Sequence, residues 1–448
     1  MLSTTDAQER ASALIARARR AGADACDAVY VSDASESVTV RLGQLEDVER
    51  SENEHIGLRV FIGQRSATIG SSDLSDAALD ELADRAVSMA RAAPEDPYAG
   101  LAPQDRLLTG ALPDLDLVDP AALSPRDLRA LALEMEEALR AYPGVTNSEG
   151  ASASAGEAVV ALATSHGFAG AYAGTTRSLS AGALAGEGST MQRDHAWRSA
   201  RHSADLPSPA EIGRQAGERA VERLNPARVK SGPLPIIFDP RVAGSLIGPL
   251  LGAMSGSSVA RRSSFLLDRL GQRLFDSAIT IHDDPHWRRG LRTRPFDGEG
   301  LPTGPRDLIA DGVLTGWLVD SATGRQLGLP PTGHAARGVS GAPGVGASNL
   351  FMSAGAVSPA ALMTDITEGI YITDMIGHGV NPVTGDYSRG ATGRRIVHGE
   401  LGEPVAGFTI AGNLIDMYAA LTPADDLEDW RVINVPTLRV DGMVVAGD

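Results

Sequence analysis

Residues 27–70 carry runs that alternate apolar and polar side chains with a period of two, and nothing else in the chain narrows its possible folds as much. DAVYVSD (27–33), ESVTVRL (36–42) and LEDVER (45–50) send every second side chain to one face, the pattern of strands with one buried and one solvated surface. GLRVFIG (57–63) and SATIG (66–70) continue it and read as a hairpin across Gln64-Arg65. Strands of this kind need an apolar cover. The flanking segments supply it: residues 6–21 and 76–92 carry apolar positions at helical spacing, with Leu79, Leu82, Ala86 and Ala90 on one side of the second. Helix, strands and helix make a first domain over residues 1–100, closed by the proline-rich connector APEDPYAGLAPQD (93–105).

A central domain is expected over 106–228. Ser124 as N-cap, Pro125 at the first helical position and Asp127 announce a helix whose stripe is Leu128, Leu131, Met135 and Leu139. Ser208-Pro209-Ala210-Glu211 has the form of a capping box opening a helix to about Leu224. Between them, residues 145–190 hold short alternating runs broken by glycine, such as EAVVALATS and GFAGAYAG, and read as a structural antiparallel meander.

The third domain is expected over 232–448. LPIIFDP (234–240) reads as a short buried strand and VAGSLIGPLLGAM (242–254) as an apolar helix interrupted by Pro249. DLIADGVLTGWLVD (307–320) reads as a hairpin on Asp311-Gly312, and PTLRVDGMVVAG (436–447) as a second one on Asp441-Gly442. Strands outnumber long helices and β-α-β alternation is weak. The fold class is therefore α+β: an N-terminal helix and antiparallel-sheet domain, a middle sheet-and-helix segment, and a C-terminal β-rich domain with short helices.

Charge limits the partners. A formal net charge of −17 would repel a polyanion, so no nucleic-acid partner is expected. The single cysteine, Cys26, cannot form an intramolecular disulfide. The N-terminus reads as an amphipathic helix and not as a signal peptide. No run of eighteen apolar residues occurs, so no membrane span is expected. The location implied is cytoplasmic.

Two segments carry chemistry worth weighing. IHDDPHW (281–287) sets His282 and His286 four positions apart around two carboxylates. Read as a metal site it would make them ligands, but zinc needs three or four, and the one thiol is distant at Cys26. Pro285 biases the preceding residue away from helix, so a solvated loop shaped by Asp284-Pro285 is favoured. No HExxH helix, G-x-S-x-G elbow or P-loop is present. The second segment, residues 377–393, is glycine-rich and lies between GIYITDM (369–375) and RRIVHG (394–399). It is either a long surface hairpin or a loop lining a groove or a subunit interface. The candidate substrate- or partner-contacting residues are Gly377, Asn381, Gly385, Asp386, Ser388 and Arg389, with Thr409, Gly412 and Asn413 nearby in sequence.

That loop and GEPVAGFTIAGNL (402–414) resemble the TldD/PmbA family of metallopeptidases, in particular its PmbA (TldE) branch. VRLGQLEDVERSENEHIGLRVFIGQRSATIGSSDLS (40–75), RRSSFLLDRLGQRLF (261–275), DDP (283–285), FDGEGLPT (296–303), LIADGVLTGWLVDSATGRQLG (308–328) and PTGHAARG (331–338) match the same family in order. The resemblance implies a heterodimer of a TldD-type and a PmbA-type subunit around an internal proteolytic chamber. Such complexes trim ribosomally made peptide precursors and degrade small unfolded polypeptides.

The catalytic branch resembles a zinc peptidase with an HExxxH helix and a C-terminal cysteine ligand. Where that helix is expected, this chain has GSLIGPLLGAMSG (244–256), with no side chain able to hold zinc, and its last third has no cysteine. The resemblance therefore implies a subunit with no catalytic or metal-binding residue of its own. Zinc is expected in a TldD-like HExxxH partner, and unfolded or leader-bearing peptides as substrates. In isolation a homodimer is possible. Two other readings stand beside this one. An autonomous hydrolase would use His282, Asp283, Asp284, His286 and His334. A binding protein without a peptidase partner would modulate a toxin or a topoisomerase.

Overall fold

The structure is a computed structural model and describes residues 2–447. It begins with α1 (Thr4–Arg20), then β1 (Ala25–Arg41), β2 (Gln44–Ile62), β3 (Arg65–Ser71) and α2 (Asp76–Ala92). Next come α3 (Pro125–Arg140), β4 (Val145–Thr164), β5 (Ala169–Ala185), β6 (Gln192–Ala200) and α4 (Pro209–Glu222). The six strands form one antiparallel sheet in the order β3-β2-β1-β4-β5-β6, so strands from both sides of the 93–105 connector share a sheet.

Strand length sets the shape of this part. The runs at 27–33 and 36–42 belong to a single 17-residue strand, and 145–190 forms two strands of 20 and 17 residues in place of the expected short runs. The intervening glycines do not all mark breaks. Gly174 lies within β5, where an added Cβ would come 2.9 Å from the Arg201 guanidinium; there glycine admits a close neighbour and the strand continues.

Both helix pairs lie on the same sheet face. Ala28, Tyr30, Val159 and Ala161 pack against α1 and α2, whereas Val38, Val40, Ala151 and Ala153 pack against α3 and α4. The alternation is even along β1 and odd along β4, as one face requires. Ser124 caps α3 with a reciprocal bond from Asp127, and Ser208 Oγ accepts the Glu211 amide of α4.

Beyond the linker run β7 (Gly232–Phe238), α5 (Pro240–Ala243), α6 (Ile247–Met254) and α7 (Gly256–Ala260). They are followed by β8 (Ile281–Asp284), β9 (Arg306–Ala310), β10 (Val313–Leu314) and α8 (Ser321–Leu327). The chain continues through β11 (Ala335–Ala336), β12 (Gly344–Val345), β13 (Asn349–Met352), α9 (Pro359–Met363) and β14 (Glu368–Ile376). It ends with β15 (Asp386–Val397), β16 (Glu400–Asn413), α10 (Leu414–Ala419), β17 (Leu421–Pro423), β18 (Ile433–Asn434) and β19 (Leu438–Ala446).

A mixed six-stranded sheet runs β16-β15-β14-β7-β19-β17, and a further β16–β19 pairing closes five of its strands into a barrel. Closure leaves those strands no free edge along the paired stretch. A five-stranded sheet, β10-β9-β8-β13-β18, stands beside it. The largest core cluster joins the barrel interior to α6 through Ile236, Ile372, Tyr387 and Tyr418 with Leu246, Leu250 and Met254.

Three local expectations are corrected here. Asp441-Gly442 does not turn a hairpin: β19 continues through it, with one extra residue between Val440 and Met443 opposite β7 and Gly442 at φ 83°. This is a bulge that bends a single strand. The break in the 242–254 helix falls at the tight turn Gly244–Leu246 and not at Pro249. Pro249 is the third residue of α6, where no intrahelical N–H bond is required of it. The glycine-rich loop is shorter than 377–393, because β15 already begins at Asp386.

Among the described residues no helix is long and apolar enough to cross a membrane.

Candidate functional site

IHDDPHW is a strand followed by a turn, which corrects the reading of it as a solvated loop. Ile281 and Asp283 face inward on β8, the middle strand of its sheet. The buried Asp283 accepts from the Ser348 amide at 2.7 Å and lies 3.1 Å from His334 Nε2. On the other side of the ring, Nδ1 lies 2.9 Å from Thr332 Oγ1. The pair ties the 331–336 segment to the sheet.

His282 is half-exposed and its Nδ1 lies 2.6 Å from Asp307, whereas His286 Nε2 lies 3.0 Å from Thr303 Oγ1. The two imidazoles thus have separate partners. Among the described residues no group of three or more His, Cys, Asp or Glu side chains is arranged to hold a metal ion. The described residues do not fit a hydrolytic zinc.

The hairpin joining β14 to β15 is fastened from within. Asn381 Oδ1 accepts from the Val383 and Thr384 amides, and the Gly385 amide donates to Asn381 O at 2.9 Å. Asn413 Nδ2 donates to Thr384 O and to Asp386 Oδ1, at 2.9 and 3.1 Å, while its Oδ1 caps α10. The Thr384 hydroxyl, followed by the Asn413 amide, holds the Asp386 carboxyl below its usual range. Asn381, Gly385, Asp386 and Asn413 are therefore brought together as a brace. Gly377 begins the turn at φ 80°. Ser388 donates its amide to Gly379 O at 2.7 Å, and a Cβ on Gly379 would lie 1.6 Å from Ser388 O. Only glycine fits there.

Thr409 and Gly412 face this strand from β16, opposite Gly390 and Tyr387. Arg389 shares the inner side of β15 with Tyr387, whose phenol burial pushes up to about 12 against the opposing charge of Arg389. Among the exposed polar residues of the tip, two large apolar side chains stand out, Ile376 and Val383, 66% and 54% exposed.

Behind that hairpin lies α6. Its inner side, Leu250, Ala253 and Met254, is core, and Tyr418 donates its hydroxyl to Leu246 O at 2.8 Å. Gly248 and Gly252 lie one turn apart on the other side, exposed, with nothing within 4 Å of an added Cβ. The outward surface of α6 is the bare backbone of these glycines beside the half-buried Pro249 and Leu251.

Two features escaped the sequence reading. The first is a groove of about 900 Å³ on the helix-bearing sheet face, between the α1/α2 pair and the 118–123 segment leading into α3. Glu36, Glu52, Glu54 and Glu157 line it, with Arg50 and Arg177. Burial opposes ionisation of Asp119 on its wall, yet the Ser203 and Ala121 amides and Arg177 bring its pKa down to about 2. Beside the groove, β2 has a free edge, because β3 pairs only with Ile56–Ile62.

The second is a buried ionic knot on the opposite face. Asp27, 1% exposed, takes Arg59 Nε at 3.0 Å and Arg337 Nη1, and Glu299 Oε1 lies 3.8 Å from Arg59. Burial disfavours the Asp27 carboxylate, but Arg337 and Arg59 outweigh it and its pKa falls. Burial dominates at Glu299 and pushes it up to about 7. The knot joins β1 and β2 to the C-terminal domain. Charges amid the apolar runs ACDAVYV and GLRVFI were its sequence signal.

The fold recurs in solved structures. A Bacteroides thetaiotaomicron protein named as a candidate modulator of DNA gyrase superposes with a TM-score of 0.91 at 27% identity over all of both chains. TldE from Thermococcus kodakarensis matches in fold, with a TM-score of 0.85 at 20% identity, covering 98% of this chain and all of the other. These neighbours define a class of three-part α+β proteins with a barrel-bearing C-terminal domain.

Within that class, the chain belongs to the PmbA/TldD metallopeptidase family. Its residues 26–90, 118–224 and 231–447 match, in turn, the family's domain 1, central domain and C-terminal domain. It is 38% identical to Metalloprotease PmbA of Escherichia coli O157:H7, covering 92% of this chain and 90% of that one. It is 35% identical to the Metalloprotease PmbA homolog of Haemophilus influenzae, covering 96% and 94%.

Proposed function

We propose that this chain is the non-catalytic, PmbA/TldE-type subunit of a cytosolic metallopeptidase complex that processes peptides. The composition of α6 carries the reading. At the place where the catalytic branch resembles an HExxxH helix, the outward positions here are Gly248 and Gly252, which offer neither a ligand nor a general base. Zinc and its water belong to a TldD-like HExxxH partner. This chain completes the chamber, excludes folded proteins and holds the substrate.

An extended peptide is the substrate form that suits it. The free edge of β2, residues 44–55, presents unpaired N–H and C=O groups that pair with a peptide backbone whatever its sequence. The acidic lining of the neighbouring groove favours basic side chains on that peptide. The β14–β15 tip, with Ile376 and Val383 exposed, is the surface for the partner subunit.

The test is peptide cleavage by this chain alone, by a TldD-type partner alone and by their mixture. Cleavage is expected in the mixture and not with this chain alone. Chelator-sensitive turnover by this chain alone would overturn the reading.

A further inference from the structure

A small cavity of about 140 Å³ lies where the N-terminal sheet meets the C-terminal domain, on the face away from the helices and beside the ionic knot, with which it shares Arg337. One side is apolar: Val29 of β1, Val160 and Leu162 of β4, and Phe296. Tyr172 of β5 stands edge-on to Phe296 at 5.4 Å between ring centroids. The other side carries Arg294, Asp297 and Arg337.

The arginines are only partly used. Arg337, with 2% of its side chain exposed, gives Nη1 to Asp27, while its buried Nε and Nη2 have no hydrogen-bond partner among the described residues. Those two N–H groups form the side-on edge of the guanidinium, the fork that grips a carboxylate through two parallel bonds. Arg294 spends both Nη groups on the carbonyls of Ala335 and Gly346, and its Nε is likewise buried and unpartnered. No carboxylate balances Arg294 by direct contact. The Asp297 carboxylate is occupied by the amides of Glu299, Leu301 and Ala335. Buried donors left unmade are costly, and two such guanidiniums in one small site favour an anion.

We propose that this cavity binds a monocarboxylate attached to a short apolar group, with Arg337 and Arg294 on the carboxylate and Val29, Leu162 and Phe296 around the apolar end. Tyr172 supplies a further donor. The volume equals that of roughly four or five waters, enough for a branched acid of a few carbons and too small for a nucleotide. A dianion such as phosphate is disfavoured by the nearby Asp297 and by the apolar wall. The same chemistry is offered by a free aliphatic acid and by the C-terminal residue of a peptide.

Calorimetry on the full chain at pH 7 with isovalerate, isovaleramide and N-acetyl-leucine tests this without any partner subunit. Isovalerate is expected to bind, and its neutral amide at least tenfold more weakly. Arg337→Lys keeps a charge beside Asp27 but loses the fork, and should weaken isovalerate at least tenfold. Val160→Phe narrows the cavity without touching an ionic group and should weaken it as well. Tighter binding of N-acetyl-leucine than of isovalerate assigns the site to peptide C-termini, and the reverse order to free acids. Equal affinity for acid and amide, or no binding of any of the three to the parent protein at millimolar concentration, would overturn the proposal.

Discussion

Glu299→Gln is the sharpest test of the electrostatics that join the two halves of the molecule. Glu299 is 3% exposed, and its Oε2 accepts from the Ser321 amide at the start of α8 at 2.8 Å. Burial raises its pKa from 4.5 to about 7. The folded state therefore holds a proton across this window that the unfolded chain has released. Stability falls as pH rises from about 4.5 to about 7, and the full penalty is present above that range. At roughly 1.4 kcal/mol per pH unit the displacement corresponds to about 3 kcal/mol. Glutamine mimics the protonated acid and can still accept from Ser321. The variant should match the parent near pH 5 and exceed its unfolding free energy by up to about 3 kcal/mol at pH 8. Urea and thermal denaturation of both proteins at pH 5, 6, 7 and 8 measure the difference. A difference that stays flat across that range, or one that favours the parent as pH rises, would refute the assignment of burial as the dominant effect.

Other outcomes follow from single contacts. Asp27→Asn leaves the buried Arg59 and Arg337 without their shared carboxylate and should cost about 3–5 kcal/mol in denaturant titration. By contrast, breaking the exposed Arg50–Glu52 pair by Arg50→Ala should leave the transition midpoint unmoved. Gly379→Ala should force the β14–β15 tip open, seen as faster hydrogen exchange at the Ser388 amide and weaker association with a TldD-type partner. Gly252→Ala meets open space on a helix, and should leave the protein as stable as the parent or up to about 1 kcal/mol more stable.

Periodicity made much of the fold legible. The helix at 76–92 and the Ser124 cap were readable because capping and a 3.6-residue stripe are local, and the structure keeps both. Strand limits were harder. Glycine reads the same in sequence whether it turns the chain, as Gly377 does, or lets a neighbour approach, as Gly174 does. The dipeptide Asp-Gly turned the chain at 311–312 but only bent it at 441–442, because β7 pairs with β19 on both sides of the bulge.

The sequence by itself determined the α+β class, the strand-rich C-terminal domain and the absence of any zinc-binding side chain from 244–256. These are properties of composition and local period, and no neighbour can change them. Tertiary structure alone decided which distant residues meet: Asp27 with Arg337, Glu136 with the Leu42 and Gly43 amides, and the lining of the groove between the helix pairs. Each of these depends on elements far apart in sequence, 94 residues for Leu42 and Glu136 and 310 for Asp27 and Arg337, being packed against one another. Burial, which sets the charge state of Glu299 and leaves Arg337 with unspent donors, exists only once those surfaces have closed over one another.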